Sequence, residues 1–229
     1  MFTMELAGHV ICVDNQYDHI FKLCKDYLTE KKEEFLVSVS KEEILAESKN
    51  GETWPLDYLE SLAIYRKICH ILLDKQILLF HCSALELEGE AYLFAAPSGT
   101  GKSTHAGLWR SVFGDKVTMI NDDKPLLKIT QSGVLVYGTP YGGKDGIQTN
   151  TNAKVKAIFL LHQATENTVK RMNPEEAFPK LLSQTYRRKD AEGMIYTVDL
   201  VRKVADLPVF SLGCTISEEA VWTAYEAAQ

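Results

Sequence analysis

The segment Ala96-Pro97-Ser98-Gly99-Thr100-Gly101-Lys102-Ser103 separates two different patterns in this chain of 229 residues. The apolar run Ala91–Ala96 leads into it and predicts a buried strand, and the sequence from Lys102 to Phe113 predicts a helix. Gly99 and Gly101 allow the backbone to curl, so that successive N–H groups face one concavity at the N-terminus of that helix. The context therefore predicts a phosphate-binding loop between a strand and a helix.

The polar groups of this loop have expected parts in holding a nucleotide. Lys102 reaches the β- and γ-phosphates, and the hydroxyl of Ser103 is a ligand for Mg²⁺. The alternative is a turn rich in Gly and Ser that contains a lysine by chance. The strand before the loop and the helix after it favour the nucleotide, and we predict that the following residues bind it: Ser98, Gly99, Thr100, Gly101, Lys102, Ser103 and Thr104.

A pair of aspartates follows the next apolar stretch, Val117–Ile120, which predicts a strand. Asp122 and Asp123 come after it, directly behind Asn121. A carboxylate at this place can hold Mg²⁺ directly or through water, and a second carboxylate can accept a proton from an attacking hydroxyl. The alternative is an exposed acidic turn. Because the pair comes one helix and one strand after the loop, we expect Ser103 and the two aspartates to form a metal site.

Two histidines lie near these motifs in the sequence. His81 ends the short apolar run Ile77–Phe80 and is either a structural residue or a catalytic one. His105 lies in the first turn of the helix after the loop. There it either forms a hydrogen bond with the substrate or covers the end of the helix.

Hairpin signals close to the loop oppose a regular alternation of strands and helices. Leu126–Thr130 and Val134–Tyr137 predict an antiparallel hairpin. We therefore predict an α/β chain of the α+β type, with a mixed, largely antiparallel sheet and flanking helices. Asn173 predicts the start of a helix that runs to about Arg187, and Ser217 predicts the start of a last helix.

The first part of the chain differs from the rest in pattern. Residues 1–55 contain two short apolar segments around a charged stretch, and the polar, turn-prone run Glu47–Glu52 comes near their end. From Asp57 onward, apolar residues recur at the spacing of a helix. We predict a small α/β appendage over residues 1–55, packed on a catalytic domain over residues 56–229.

The composition limits the partners. The chain has 25 Lys and Arg against 31 Asp and Glu, a net charge of −6, which argues against nucleic acid because such binding relies on clustered basic residues. The longest apolar run is much shorter than the ~20 residues that span a bilayer, so we expect no membrane partner. Because no lysine or arginine precedes Lys22, we expect no targeting leader and a cytoplasmic location.

Together, these pieces resemble the catalytic core of HPr kinase/phosphorylase, which belongs with phosphoenolpyruvate carboxykinase in one structural superfamily. In that family a histidine starts a strand, a glycine turn follows, and a second strand leads to the loop G-x-S-G-x-G-K-S. This chain has His81, Gly89, the run Ala91–Ala96 and the loop in the same order and with the same spacing. Met119–Asp123 resembles the family's strand that ends in paired aspartates. The whole chain resembles a group of stand-alone HPr-kinase-like proteins.

The resemblance implies the fold of the C-terminal domain of HPr kinase and a role for each matched residue. It implies that Lys102 and Ser103 bind phosphate and Mg²⁺. It also implies that Asp122 takes the proton from the acceptor hydroxyl and that Asp123 is a ligand of metal or water. His81 would be a second catalytic residue beside the γ-phosphate.

Three departures from the family pattern leave the acceptor open. Ala96 replaces the first glycine of the loop, and Thr104 replaces a glutamate. The family's later Mg²⁺-binding glutamate has no counterpart in residues 137–145. HPr as the substrate and the reverse phosphorolysis are therefore not implied.

From these observations we expect an ATP- and Mg²⁺-dependent kinase, a phosphotransferase whose acceptor is an alcohol group on a small molecule, a peptide or a protein. Lys144, in the Gly-rich stretch 138–146, is a further candidate for binding the transferred phosphate. Arg187 and Arg188 are candidates of the same kind, and their alternative is a solvated helix end.

Other classes of function remain open at this point. One is a catalytically weak, nucleotide-binding regulatory or scaffold protein, which an ATP-turnover assay distinguishes from a kinase. A decarboxylating carboxykinase ranks last because the chain is short for it. The sequence also leaves open whether the donor is ATP, GTP or pyrophosphate, and whether the protein is a homo-oligomer.

Overall fold

The computed structural model describes residues 1–48 and 53–229. These residues form two compact units, Met1–Lys75 and Gln76–Gln229.

The first unit extends beyond the predicted boundary at residue 55. The helix Leu56–Leu73 belongs to this unit because it packs against the other helices and the third strand of the unit. Residues 49–52 of the polar run that we interpreted as a boundary lie outside the described residues.

The described part of the first unit contains three strands and three α-helices: β1 (Phe2–Leu6), β2 (His9–Asp14), α1 (Asp18–Leu23), β3 (Phe35–Ser38), α2 (Lys41–Leu45) and α3 (Leu56–Leu73). β1 pairs antiparallel with β2, and β2 pairs in parallel with β3. Ala7 and Gly8 both have positive φ, 50° and 79°, which suits the two-residue turn of the β1–β2 hairpin. The described part of this unit thus has a small α/β fold.

The second unit, which is described throughout, contains nine strands and four α-helices. The strands are β4 (Ile77–Leu79), β5 (Cys82–Leu87), β6 (Glu90–Ala95), β7 (Val117–Asn121), β8 (Leu126–Thr130), β9 (Gly133–Tyr137), β10 (Asn152–Gln163), β11 (Thr168–Arg171) and β12 (Val209–Cys214). The helices are α4 (Lys102–Phe113), α5 (Pro174–Ser183), α6 (Ala191–Ala205) and α7 (Glu218–Ala227).

The nine strands form one mixed sheet around β10. One edge of β10 pairs in parallel with β6, and the other edge pairs antiparallel with β9 and then in parallel with β12. β5 lies between β6 and β7, β8 lies between β4 and β9, and β11 pairs with β12. Six of these eight pairings within residues 76–229 are antiparallel. The predicted mixed sheet with flanking helices is confirmed.

A row of aromatic side chains crosses the centre of the sheet. Phe94, Phe159 and Phe210 are neighbours in register on β6, β10 and β12, with ring centroids 5.7 and 5.3 Å apart. Trp109 of α4 packs on this row, and α7 packs on α4. The next residue along each of these strands points to the opposite face. On that face it lines a cavity that residues of α5 also line.

α5 is shorter than the sequence predicts. It ends at Ser183 because the backbone after it pairs with the segment that follows β4. The N–H of His81 donates to the carbonyl oxygen of Gln184 at 2.8 Å, and the N–H of Tyr186 donates to that of Leu79 at 3.1 Å. These strand-like hydrogen bonds replace the helical ones.

The other helices follow their local signals. α4 has the predicted bounds, and α7 begins behind Ser217, whose side chain accepts the N–H of Ala220. α6 was not predicted, although Asp190 caps it. No helix among the described residues has both the length and the apolar content needed to cross a membrane.

We expect Phe159→Ala to lower the free energy of unfolding by about 3–5 kcal/mol, because Phe159 is fully buried between two other rings. Urea denaturation followed by circular dichroism measures this change. Ile195→Ala is the control, since Ile195 on α6 is 62% exposed and should change stability by no more than about 0.5 kcal/mol. Similar small effects of both substitutions would contradict the described core.

Candidate functional site

Three segments meet at one edge of the sheet in the second unit. β5 runs antiparallel to both β6 and β7, with Cys82 opposite Ala95 and Ala84 opposite Asn121. The start of β5 therefore lies beside the ends of β6 and β7. His81 comes directly before β5, the loop follows β6, and the aspartates follow β7. The sheet topology thus brings the three sequence motifs together.

Two glycines curl the loop between β6 and α4. Gly99 has a φ of 80°, and Gly101, the N-cap of α4, has a φ of 114°, a region that residues with a Cβ rarely adopt. The N–H and the hydroxyl of Thr100 both donate to the carbonyl oxygen of Pro97, at 3.3 and 2.9 Å. The N–H groups at the start of α4 have no acceptor within the helix. They give this end of α4 a partial positive charge beside the loop.

Lys102 is a buried cation that lies across the loop. Its Nζ donates to the carbonyl oxygens of Ala96 at 3.0 Å and Pro97 at 3.5 Å. Burial lowers the pKa of Lys102, and Asp123 is the strongest of the charges that oppose this effect. Carbonyl oxygens offset the charge of an ammonium group only in part, so an anion near the loop is a better partner for Lys102.

The side chain of Asn121 shapes the turn that carries the aspartates. Its Oδ1 accepts the N–H groups of Asp123 at 2.9 Å and Lys124 at 2.8 Å. Its Nδ2 donates to both the carbonyl and the hydroxyl oxygen of Thr139 at 3.1 Å. The hydroxyl of Thr139 in turn donates to the carbonyl oxygen of Lys124 at 2.8 Å. One carboxamide therefore fixes the turn and ties it to the Gly-rich stretch after β9.

Asp122 is held by a hydroxyl from the neighbouring strand. The Oγ of Ser83, on β5, donates to Asp122 Oδ1 at 2.5 Å, and both residues are buried. The other carboxylate oxygen of Asp122 accepts no hydrogen bond from the residues that the structure describes. This oxygen is available to a ligand.

Asp123 lies between two basic side chains. His81 Nε2 is 3.4 Å from Asp123 Oδ1, and Lys124 Nζ donates to Oδ2. Burial alone would raise the pKa of Asp123, but the hydrogen bond with His81 and the charge of Lys124 outweigh burial and lower it. Asp123 is therefore ionised at neutral pH, the state that a metal ligand requires.

Gln184 orients His81. Its Oε1 is 3.2 Å from His81 Nδ1, and its backbone oxygen accepts the N–H of His81 at 2.8 Å. Nδ1 faces the amide oxygen of Gln184 and Nε2 faces the carboxylate of Asp123, so each ring nitrogen faces an acceptor oxygen. Gln184 thus sets the direction in which His81 presents its second nitrogen.

The loop, the histidine and the aspartates line one cavity of about 560 Å³, here called the charged cavity. The loop and α4 contribute Ser98, Gly99, Gly101, Lys102, Ser103 and Thr104. The other segments contribute His81, Asp122, Asp123, Gly143, Lys144 and Asp145. Of the predicted site residues, only Thr100, His105, Arg187 and Arg188 do not line it.

Thr100 and His105 line a second cavity of about 590 Å³ on the other side of the loop, here called the uncharged cavity. The loop and α4 contribute Gly99, Thr100, Gly101, Thr104, His105 and Leu108. The segments after β10 and at the end of β12 contribute Gln163, Ala164, Cys214, Thr215 and Ile216.

His105 is a buried, neutral histidine. Burial lowers its pKa to about 4, and its Nε2 accepts the indole N–H of Trp109 at 3.1 Å. Its Nδ1 therefore carries the hydrogen, and this atom has no partner among the described residues. The ring also makes an edge contact with Phe94, so part of its role is in the core.

The two arginines lie between α5 and α6, and neither lines the charged or the uncharged cavity. Arg188 pairs with Asp190, the N-cap of α6, with its Nε 2.9 Å from Oδ2. Hydrogen bonds from Arg188 and from the N–H of Gly193 lower the pKa of Asp190 to about 2. Arg188 thus supports the start of α6 rather than the end of α5.

Several groups that support the site were not predicted. Ser83 and Gln184 form hydrogen bonds with predicted residues, and no motif surrounds them in the sequence. Thr139 and Asp145 lie in the Gly-rich stretch 138–146, from which only Lys144 was predicted. Gln184 is 103 residues from His81 along the chain. The sheet topology was the information needed to find them.

The charged cavity offers oxygen donors to a metal ion. Among the described residues, no group of three or more His, Cys, Asp and Glu could hold a metal ion. The Ser103 hydroxyl and the carboxylates of Asp122 and Asp123 offer the oxygen donors that Mg²⁺ prefers. Phosphate oxygens and water would complete the coordination, so the donor set fits Mg²⁺ bound together with a phosphate compound.

No protein-family model and no curated protein matches the sequence. The structure is similar to that of the Hpr(Ser) kinase/phosphatase from Coxiella burnetii, with 12% sequence identity and a TM-score of 0.31. The match covers 55% of this chain and 89% of that chain. Similarity at this level carries no argument about activity.

We expect Lys124→Met to raise the pKa of Asp123, because it removes one of the groups that hold this pKa below its ordinary value of 3.8. Titration of the Asp123 carboxyl carbon by NMR measures the change. A carboxyl group whose pKa is lowered by folding stabilises the folded state above its unfolded pKa and loses that contribution as the pH falls. Lys124→Met should therefore remove part of the acid-sensitive stability.

Lys189→Met is the control, because Lys189 is exposed and lines neither cavity. It should leave the titration of Asp123 unchanged. An unchanged pKa of Asp123 in Lys124→Met would contradict the ion pair described above.

Proposed function

We propose that this chain is an ATP- and Mg²⁺-dependent kinase that transfers the γ-phosphoryl group to a hydroxyl acceptor. The observation that carries the proposal is the charged cavity, in which a glycine-curled loop, a buried lysine, two aspartates and a histidine from separate segments share one space. Phosphoryl transfer depends mainly on positioning and on neutralising charge. The lining of this cavity offers groups for both tasks.

The phosphates of the donor would bind along the loop and the start of α4. The N–H groups at the N-terminus of α4 can donate to phosphate oxygens. Lys102 would exchange the carbonyl oxygens of Ala96 and Pro97 for the β- and γ-phosphates. Such an exchange stabilises the buried cation, so phosphate binding would also neutralise the charge of Lys102.

Charge balance favours a donor that arrives with a divalent cation. Asp122, Asp123 and Asp145 line the charged cavity against Lys102 and Lys144, so a triphosphate alone would add to an excess of negative charge. Mg²⁺, held by Ser103 and one aspartate, would bridge phosphate oxygens and offset the charge that develops during transfer.

Asp122 is the better candidate for the proton acceptor. One of its oxygens is held by Ser83, and the other is available to a ligand. Both oxygens of Asp123 face basic side chains, and its lowered pKa suits a metal ligand rather than a base. Asp122 would accept the proton of the acceptor hydroxyl as that oxygen attacks the γ-phosphorus.

His81 and Lys144 would assist beside the transferred group. His81 Nε2 faces the charged cavity next to Asp123, within reach of a phosphate oxygen bound there. Lys144 lines the same cavity and would neutralise the phosphorylated product. The resemblance of residues 81–103 and 119–123 to HPr kinase/phosphorylase supports a hydroxyl acceptor.

Lys102→Ala tests the proposed function. We expect it to reduce Mg²⁺-dependent ATP turnover by about 100-fold or more, because the lysine would neutralise charge on the reacting phosphates in a site with little water. The assay follows labelled phosphate from ATP to candidate metabolites and to a cell lysate. Lys116→Ala is the matched control, since Lys116 is exposed just after α4 and lines neither cavity.

Turnover by Lys102→Ala within about tenfold of the wild type would contradict this role. If the wild type binds nucleotide and transfers no phosphate, the chain is instead a nucleotide-binding regulatory or scaffold protein.

The two aspartates should respond differently to the loss of their charge. Asp122→Asn keeps the size of the side chain but removes the proton acceptor, so the rate should fall by about 10²–10⁴ while nucleotide affinity changes little. Asp123→Asn should raise the Mg²⁺ concentration needed for half-maximal activity, and excess metal should partly restore the rate. Rates measured against Mg²⁺ at saturating ATP distinguish the two. Identical curves that excess metal restores would remove Asp122 from the role of base and leave His81 as the candidate.

A further inference from the structure

We propose that the uncharged cavity binds the nucleoside of the donor nucleotide, so that the donor extends across the loop from one cavity to the other. This inference rests on the proposed function, because it concerns the same donor. It favours a nucleotide over pyrophosphate as the donor.

The two cavities adjoin at the loop. Gly99, Gly101 and Thr104 line both of them. Two of these three residues are glycines, and the space where their side chains would lie is open. A ligand whose phosphates lie along the loop can therefore continue into the uncharged cavity.

The two cavities differ in charge as the two parts of a nucleotide do. The charged cavity is lined by lysines and aspartates, whereas the described lining of the uncharged cavity contains no Asp, Glu, Lys or Arg. The triphosphate carries the charge of a nucleotide, and the base and ribose are uncharged at neutral pH. Since an uncharged wall gives no counter-ion to an anion, the uncharged cavity suits the nucleoside.

The wall of the uncharged cavity offers the contacts that a base and a ribose need. Leu108 and Ile216 provide apolar surface, and Ile216 is 82% exposed as the structure stands. His105 lines the cavity and has a ring N–H without an acceptor among the described residues. The volume of about 590 Å³ is within the range of small-molecule sites.

The wall is also held in place before any ligand binds. The N–H and the hydroxyl of Thr215 both donate to Asn167 Oδ1, at 2.9 and 3.1 Å. The amide of Gln163 donates to the carbonyl oxygen of Thr100 at 3.4 Å and so connects the end of β10 to the loop. A preformed wall lowers the ordering cost of binding.

The acceptor is a poorer occupant of this cavity. Its hydroxyl must reach the proposed base, Asp122, and the neighbouring His81. Both residues line the charged cavity and not the uncharged one. The acceptor would therefore enter the charged cavity, which leaves the uncharged cavity for the unreactive end of the donor.

Calorimetry with two probes tests this assignment: a non-hydrolysable ATP analogue and inorganic tripolyphosphate, each with Mg²⁺. The wild type should bind the analogue about tenfold more tightly or better, because only the analogue fills both cavities. Ala164→Trp, which fills the uncharged cavity, should remove most of this difference and leave tripolyphosphate binding within about twofold. Ala191→Trp is the control, since Ala191 is exposed at the start of α6.

Ile216→Ser provides a second variant that cannot act through the core, because Ile216 is largely exposed. It should weaken binding of the analogue alone, and Ile195→Ser on α6 should weaken the binding of neither probe.

Equal affinity of the wild type for both probes would overturn the inference. Variants that weaken the binding of both probes equally, or of neither, would also overturn it. A change in the acceptor's KM without a change in analogue binding would assign the cavity to the acceptor instead. If the wild type binds neither probe, the proposed function itself fails.

Discussion

The carboxamide of Asn121 holds together the two segments that form one wall of the charged cavity. Its oxygen accepts two backbone N–H groups of the turn, and its nitrogen donates to Thr139 after β9. Because Asn121 is fully buried at the end of β7, the turn is also fixed to the sheet. Asn121 thus fixes the backbone that carries both carboxylates, and Ser83, His81 and Lys124 hold the carboxylates themselves.

The loop between the two cavities separates a charged lining from a neutral one. On one side, buried and half-buried charges face each other, with Lys102 resting on carbonyl oxygens and Asp123 paired with His81 and Lys124. On the other side, the lining is neutral. The charged end of the proposed donor matches the first lining, and its uncharged end matches the second. The same loop can hold both ends because its glycines leave its surface open to each side.

The local motifs could be predicted from the sequence. The residues from distant parts of the chain that hold these motifs in place could not. The glycines, the lysine and the apolar strand before them are contiguous, so residues 96–113 could be predicted as a strand end, a loop and a helix. Ser83 and Gln184 reach their partners only through sheet pairing and through the backbone after α5, which a single sequence does not specify. The early end of α5 has the same cause, since tertiary hydrogen bonds replaced local helix propensity. α6, by contrast, carried readable signals, an N-cap at Asp190 and buried residues at helical spacing.

The proposed function requires that the phosphates of a nucleotide bind in the charged cavity with a metal ion beside the aspartate pair. A crystal structure with Mg²⁺ and a non-hydrolysable ATP analogue tests it most directly. In that structure Lys102 Nζ should leave the oxygens of Ala96 and Pro97 for the β- and γ-phosphates. Mg²⁺ should contact Ser103 and lie within one hydration shell of Asp122 or Asp123. A nucleotide bound outside the charged cavity, or a metal ion more than one hydration shell from both aspartates, would contradict it.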